Sequence, residues 1–462
     1  MNNMYNDFDI VEHYVFKSVS GYILMDVNTL DVCILDEIEN NIVKVLNKHP
    51  ANNRLNMLIE KYGELIVAKN IDELLRNGIL KKKEEKNETD AINNGYDTNG
   101  VDTINAIDIL ISEDCNLACK YCFVKNGQYR GKSALMKLDV GQKSIDFLIQ
   151  RSGSQKDLFV CFFGGEPLIN FKVLENMVYY AIEEGKRNNK QFHFSLTTNG
   201  TLLSDEIVEF IHKHHIFVVV SIDGDIHSHN INRPLSGGGD SYTILVNGLE
   251  KLSQRDISYS ARATVSSLTL NKISENFEHL ISLGFNKIHF ENAFAPKGKV
   301  FINNKSDIAE LKKQYSFMAK IINKIIKSDQ QCNIEGFPLP LHRIITKDTA
   351  FYSCTAGRGY LAIDAKGDIY LCHRLVGDKR FLLGNTVKDT YSSEWSKVIK
   401  TKMSVNNKRI CKKCWARYIC GGGCYAVNSG FNKDISVAPR IYCQLKKYSI
   451  KMALTVYANS VQ

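Results

Sequence analysis

The sequence has no apolar run long enough to cross a bilayer. Stretches such as IFVVVSI at 216–222 fall far short of the roughly 20 residues that a membrane helix needs. The opening MNNMYNDFDI has no basic stretch with an apolar one behind it, so it does not read as a signal peptide. A cytoplasmic location with no membrane partner is the expectation. There is no low-complexity tract and no solenoid repeat. The net charge is +9, but no cluster of basic and aromatic side chains and no nucleic-acid-binding motif accompanies it. The excess reads as a dispersed, solvated surface, and no nucleic-acid partner is expected.

What is present in quantity is cysteine. Thirteen stand among 462 residues, and without a secretion signal they argue for metal or redox chemistry rather than a disulfide framework. Ten fall into two dense groups. Cys115, Cys119 and Cys122 lie in SEDCNLACKYCFV. Cys354, Cys372, Cys411, Cys414, Cys420, Cys424 and Cys443 lie near the C-terminus. Cys33, Cys161 and Cys332 are left over and read as small buried hydrophobes.

Along the chain, residues 1–80 read as a small module. YILMDV (22–27) and VCILD (32–36) are two strands, and Asp36 with Glu39 makes a capping box before a helix. Two more helical stretches follow, near 53–62 and 71–77, an order that suits a winged-helix-like domain. This module carries 7 basic and 12 acidic residues, a balance of −5. Residues 81–103, poor in large apolar side chains, read as a linker. From 104 to 330, strand candidates begin at 106, 157, 192, 216, 259 and 287, with helical stretches between them. The expected fold is α/β, a parallel sheet in a partial (β/α)6 TIM-like barrel. Residues 331–462 form a Cys-rich C-terminal domain.

In parallel α/β barrels, ligands sit at the C-terminal ends of strands. The first predicted strand runs into Cys115, Cys119 and Cys122. The second ends in GGEP (Gly164, Gly165, Glu166, Pro167), the third in TTNG (Thr197, Thr198, Asn199, Gly200) and the fourth in SIDG, from Ser221. The fifth carries Arg262. Three thiolates suit three irons of a 4Fe–4S cluster and leave the fourth iron open. Gly164 and Gly165 permit close backbone approach, Glu166 suits an ammonium, and Arg262 suits a carboxylate. A ligand with an amino group, a carboxylate and an iron-chelating end is the methionyl part of S-adenosylmethionine. A zinc half-site is the competing reading of the triplet, and a zinc ribbon that of Cys411, Cys414, Cys420 and Cys424. His227 and His229 read as exposed loop residues.

C-x3-C-x2-C with Tyr121 before the last cysteine, followed by GGEP, resembles the radical S-adenosylmethionine enzymes. That resemblance implies a cluster on Cys115, Cys119 and Cys122 that generates a 5′-deoxyadenosyl radical. It places Tyr121 and Phe123 near the adenine, Gly164, Gly165 and Glu166 on the amino group, and Ser221 and Arg262 on the carboxylate. Thr198 and Asn199 join the cofactor site. The C-terminal pattern, C-x12-G-x4-C, then C-x2-C-x5-C-x3-C, then C, resembles the SPASM extension and implies two auxiliary 4Fe–4S clusters. By that resemblance Cys411, Cys414, Cys420 and Cys443 close one. Cys354, Cys372 and Cys424 hold the other with one position unfilled, and Cys332 is the competing eighth ligand.

The segment HYVFKSVSGYILMDVNTLDVCILDE resembles the start of thioether-forming maturases of ribosomally made peptides. It implies that residues 1–80 take a leader peptide as an added strand, with a flavodoxin or ferredoxin as electron donor. A docking domain for the protein's own barrel is the alternative. Sulfatase maturation, carbon–carbon cross-linking or epimerisation of a peptide, and a polycluster electron carrier are the competing functions.

Overall fold

The computed structural model describes residues 8–18, 21–47, 52–82, 103–124, 133–328 and 340–461. The expected linker lies almost wholly outside these residues, as does Cys332.

The N-terminal module opens with β1 (Phe8–Ile10) and the antiparallel sheet β2 (His13–Ser18), β3 (Gly21–Asp26) and β4 (Val32–Leu35). Helix α1 (Glu37–Leu46) starts at a reciprocal cap. The Glu39 amide donates to the Asp36 carboxylate at 2.8 Å, and the Asp36 amide donates to the Glu39 carboxylate at 2.9 Å. Helices α2 (Asn52–Tyr62) and α3 (Glu64–Arg76) follow, and β5 (Leu80–Lys82) returns to pair with β1. The strands near 22–27 and 32–36 coincide with β3 and β4. Strand β2 is additional; its side chains are nearly all half-buried, so it lacks the alternation that marks a strand in sequence.

Side chains alternate faces along β3. Leu24 packs with Leu35, Ile42, Val67 and Leu74 inside the module. Ile23 and Met25, on the opposite face, belong to the main core of the chain. The apolar run in YILM thus reflects burial on both sides. Further contacts hold the module against the C-terminal region. Tyr14 stacks on Trp415 with ring centroids 3.7 Å apart and planes 2° from parallel. Arg417 donates to both Glu12 oxygens at 2.6 and 2.5 Å, and Lys347 pairs with Asp31.

The central sheet contains β6 (Ala106–Ser112), β7 (Asp157–Gly164), β8 (Gln191–Thr198), β9 (Phe217–Ser221), β10 (Tyr259–Val265) and β11 (Ile288–Asn292). Each pairs parallel with the next in chain order. The connections contain α4 (Leu138–Arg151), α5 (Phe171–Arg187), α6 (Asp205–Lys213), α7 (Ile226–Asn232), α8 (Tyr242–Ser253) and α9 (Ile273–Ser282). All six strands therefore end on one side of the sheet. Beyond β11, α10 (Lys305–Lys327) packs against the C-terminal helix Arg440–Ser460, where Ser316 and Tyr448 hydroxyls lie 2.6 Å apart.

The sheet is open and continues past β6. Strand β12 (Tyr360–Ile363) pairs parallel with β6. Strands β13 (Asp368–Tyr370), β14 (Leu382–Asn385) and β15 (Thr390–Tyr391) add antiparallel strands, giving ten in all. The Cys-rich region thus shares its sheet with the strands that carry the first cysteine group. Among the described residues, no helix is long and apolar enough to cross a membrane.

Because Met25 has no exposed surface and lies in the shared core, Met25→Ala should destabilise the whole chain by about 2–5 kcal/mol. Urea unfolding followed by far-UV circular dichroism reads this. A parental midpoint would show that the module contributes nothing to that core.

Candidate active site

The loops after β6, β7 and β8 are laced together by backbone and by one carboxylate. The Gly165 amide donates to the Ser112 carbonyl at 2.7 Å, and the Glu166 amide to the Asp114 carbonyl at 2.8 Å. Gly164 has φ +138°, and a Cβ there would lie 2.2 Å from the Ser112 carbonyl oxygen. Only glycine fits. The fully buried Glu166 carboxylate accepts from the Thr198 hydroxyl (2.8 Å), the Asn199 amide (2.7 Å) and the Leu168 amide (3.1 Å). Burial pushes this carboxyl up to about 7 against those three hydrogen bonds. The Asn199 side chain donates to Asn116 at 2.8 Å and lies 3.9 Å from the Cys115 sulfur.

A cavity of about 520 Å³ opens at these strand ends. Cys115, Cys119, Cys122, Tyr121 and Phe123 line it, together with Gly164, Gly165, Thr198, Asn199, Ser221 and Arg262. Glu166 does not. The sequence reading put its carboxylate on the ligand's amino group. In the structure it stands behind the wall, committed to three protein donors, and fixes the residues that form the wall.

Burial pushes the Cys115 thiol up to about 12, with Glu166 adding to the effect. It pushes Cys119 to about 11, despite the nearby Arg233 guanidinium. Such thiols give up their protons to a cation rather than to water. Among the described residues, no three Cys, His or carboxylate groups focus on a single-ion point. A 4Fe–4S cluster asks for something else, thiols distributed so that each meets its own iron. Three thiols spread along one cavity wall fit that donor set.

One buried network within this wall has little signature in the sequence. The Tyr121 hydroxyl donates to Asp223 at 2.5 Å. Arg233 donates to the same carboxylate at 3.0 Å, and the Thr264 amide at 2.8 Å. Arg233 also lies over the Tyr121 ring, 5.3 Å from its centroid. Asp223 belongs to the SIDG motif, but Arg233 follows ten residues later with no spacing signal. His227 is exposed, as expected. His229 is not: it is fully buried in α7, its Nδ1 accepts from the Asp223 amide at 3.4 Å, and burial depresses its pKa to about 3. It faces inward because the turn after β9 becomes a helix rather than a loop.

The far wall carries His373, Arg374 and Glu291. His373 Nδ1 lies 2.7 Å from Asp108 and 3.0 Å from the Tyr360 hydroxyl. A carboxylate on Nδ1 selects the tautomer whose Nε2 is free to accept a proton. Burial alone would raise Glu291. The hydrogen bond from His289 and the charges of Arg374 and Arg262 outweigh it and hold the carboxyl at about 2. Arg374 donates to Glu291 at 3.3 Å and lies 3.8 Å from the Cys424 sulfur. It therefore spans the cavity wall and the C-terminal thiols. None of these three residues belongs to a motif recognised in the sequence.

The C-terminal cysteines fall into two groups. Burial raises Cys372, and Cys424 and Cys354 raise it further. Burial raises Cys443 to about 12, with Cys420, Cys411 and Cys414 adding to it. Between the groups, Gly421, Gly422 and Gly423 have φ of +69°, +92° and +82°, and a Cβ on Gly421 would lie 2.3 Å from the Tyr352 carbonyl oxygen. Cys33 and Cys161 stand apart on β4 and β7, both half-buried.

A family model of the radical SAM superfamily matches residues 109–283, and one of the iron–sulfur cluster-binding SPASM domain matches 354–415. The chain is 24% identical over 471 aligned residues to the radical SAM cyclopropyl synthase TigE of Paramaledivibacter caminithermalis, covering 90% of this chain and 89% of that one. It is 25% identical to a cysteine-type anaerobic sulfatase-maturating enzyme of Clostridium perfringens, covering 75% and 95%. Its fold is similar to that of anSMEcpe with bound AdoMet (TM-score 0.65, 22% identity, 77% and 100% covered). It is also similar to Streptococcus suis SuiB bound to S-adenosylmethionine (TM-score 0.56, 19% identity, 94% and 99% covered).

Glu166 gives a pH test in the metal-free protein. Its folded pKa of about 7 lies above the unfolded value of roughly 4.3. Its contribution is then full below the unfolded value and is lost as pH rises through about 7. Glu166→Gln removes that linkage. The melting-temperature advantage of the parent over Glu166→Gln should shrink as pH rises from about 5 to about 8. A pH-independent difference would mean that Glu166 is ionised throughout.

Proposed function

The chain belongs to the radical SAM superfamily and carries a SPASM domain, and from that premise we propose that it matures a ribosomally made precursor peptide. The reaction joins a peptide cysteine sulfur to one of the peptide's own carbons. Its cofactors are S-adenosylmethionine and 4Fe–4S clusters. When bound, they supply a 5′-deoxyadenosyl radical that removes a hydrogen atom from carbon, and an acceptor for one electron.

The residues divide the work as follows. Cys115, Cys119 and Cys122 would hold the first cluster. Gly164, Gly165, Thr198, Asn199, Ser221 and Arg262 would cradle S-adenosylmethionine, with Tyr121 and Phe123 toward its adenine. Cys411, Cys414, Cys420 and Cys443 would hold one auxiliary cluster, and Cys354, Cys372 and Cys424 the other. The observation that carries the thioether reading is that the group with only three thiols is joined to the cavity wall through neighbouring side chains. Arg374 reaches both the cavity and Cys424, and His373 in the cavity wall follows Cys372 directly. One ligand position on a cluster held by these three thiols would be left for the peptide's own thiol. His373 Nε2 is the acceptor for its proton, and Asp108 and Tyr360 hold the ring in place.

The N-terminal module would bind the leader, with β2 and β4 as the edge strands of its three-stranded sheet. Its acidic balance favours a basic leader. Peptides are bound in the relatives SuiB, with its precursor SuiA, and anSMEcpe. Sulfatase-type oxidation is the second reading, supported by the Clostridium perfringens relative. The peptide-maturase reading is favoured because SuiB and TigE span 94% and 90% of this chain, against 75% for that relative.

Anaerobic reaction with S-adenosylmethionine, a reductant and the precursor peptide encoded beside this protein tests the proposal. The product should be lighter by two hydrogen atoms and should lack one alkylatable thiol. A product of that mass with every thiol intact would mean carbon–carbon bonding, and an aldehyde in place of cysteine would mean sulfatase-type chemistry. Cys119→Ala should form no 5′-deoxyadenosine.

His373→Gln should lower cross-linked peptide by on the order of 10²-fold while iron content and abortive cleavage of S-adenosylmethionine persist. Parental product yield across pH would remove His373 as the proton acceptor.

A further inference from the structure

A second hollow, of about 600 Å³, is separate from the active-site cavity and is lined by Cys411 and Cys443. Two thiols of the four-thiol group therefore border this hollow, while the three-thiol group is joined to the active-site wall through Arg374. The surroundings of the hollow are predominantly basic. Residues 397–413 contain seven Lys or Arg and no Asp or Glu. Lys402, Arg409, Lys412 and Lys413 are exposed, and no carboxylate pairs with them among the described residues. Lys447 adds its charge at Cys411 and Cys443. The acidic group lining the hollow is Asp434, which accepts from the Ser436 amide at 2.8 Å and faces Lys408. Ile410 and Val437, 61% and 38% exposed, place apolar surface within the basic rim.

An apolar centre with a charged rim is the anatomy of a protein–protein interface. A one-signed rim steers a partner of opposite charge. Nucleic acid is the other polyanion to consider, but among the described residues no aromatic ring lines the hollow for bases to stack on. The thiols in its wall point instead to electron transfer. We infer that this face docks a small acidic protein that carries single electrons on a flavin or an iron–sulfur centre. One electron would leave the reduced carrier for the cluster that Cys411, Cys414, Cys420 and Cys443 would hold, and it is the electron that cleavage of S-adenosylmethionine consumes. No atom or proton is transferred. The inference rests on the reading of those four cysteines as cluster ligands.

The test uses the reconstituted holoenzyme and an acidic flavodoxin. Binding is measured by surface plasmon resonance at about 0.05 and about 0.5 M salt. Affinity should fall with salt. The double variant Lys402→Glu/Arg409→Glu should bind roughly tenfold or more weakly, with a flatter salt dependence. Lys313→Glu/Lys320→Glu, on α10, should bind like the parent. Flavodoxin-driven turnover of the first pair should fall, while dithionite-driven turnover stays parental. Salt-independent parental binding, undiminished binding by Lys402→Glu/Arg409→Glu, or displacement of flavodoxin by an RNA oligonucleotide would overturn the docking proposal. The cluster reading fails separately, if Cys443→Ala retains the parental iron content and electron paramagnetic resonance spectrum.

Discussion

The parallel pairing of β12 with β6 is the contact on which the site depends. Tyr360 stands opposite Ala106, and Ile363 opposite Ile109. The Asn105 and Ala106 amides both reach the Gly359 carbonyl at 3.0 Å. Strand β6 leads directly into the first cysteine loop, and β12 with its hairpin partner β13 leads directly into Cys372, His373 and Arg374. Pairing the two strands brings segments some 250 residues apart to the same cavity. The pairing also covers an edge of the parallel sheet that would otherwise offer unpaired backbone groups to other chains.

Around that pairing, the strand ends are fixed by buried carboxylates with protein partners rather than by apolar contact. Glu166 ties the β7 and β8 loops. Asp223 ties Tyr121 of the cysteine loop to Arg233 and β10. Asp108 ties β6 to Tyr360 and His373. A buried ion pair adds little net stability, but breaking it by removing one partner costs about 3–5 kcal/mol. Such contacts therefore specify one arrangement of loops more than they strengthen the fold. A site that must hold thiols and a cofactor in fixed register needs that specificity.

The six central strands were legible because each is an apolar run bounded by turn chemistry, and all six start within a residue of where the pattern puts them. The cysteine loop and GGEP were legible because their geometry is local; Gly164 meets its constraint at Ser112 through the backbone. The partners of Glu166 were not legible, because they are not local. Its type and position suggested a ligand contact, and only the approach of the β8 end shows that Thr198 and Asn199 occupy it. Arg233, His373 and Arg374 act on partners 10 to 265 residues away, and no periodicity records such distances. The basic face at 397–413 was missed because a net charge summed along the chain hides where the charges collect.

The N-terminal module is bound to the thiol loops mechanically as well as by sequence. Trp415 and Arg417 lie between Cys414 and Cys420, and they are the residues that grip Tyr14, Glu12 and Asn28. Tyr14 and Phe16 occupy one face of β2, with Lys451 of the C-terminal helix 5.4 and 5.3 Å from their ring centroids. Glu12, just before β2, and Asn28, in the turn after β3, therefore hold the short helix Arg417–Cys420, while Tyr14 of β2 holds Trp415 ahead of it. A displacement of β2 must either break the Glu12–Arg417 pair or carry that helix and Cys420 with it. The position of the module and the setting of the thiol loop are thus linked through direct contacts. The module does not hang on a tether, and its removal would expose core and loosen the thiol loop together.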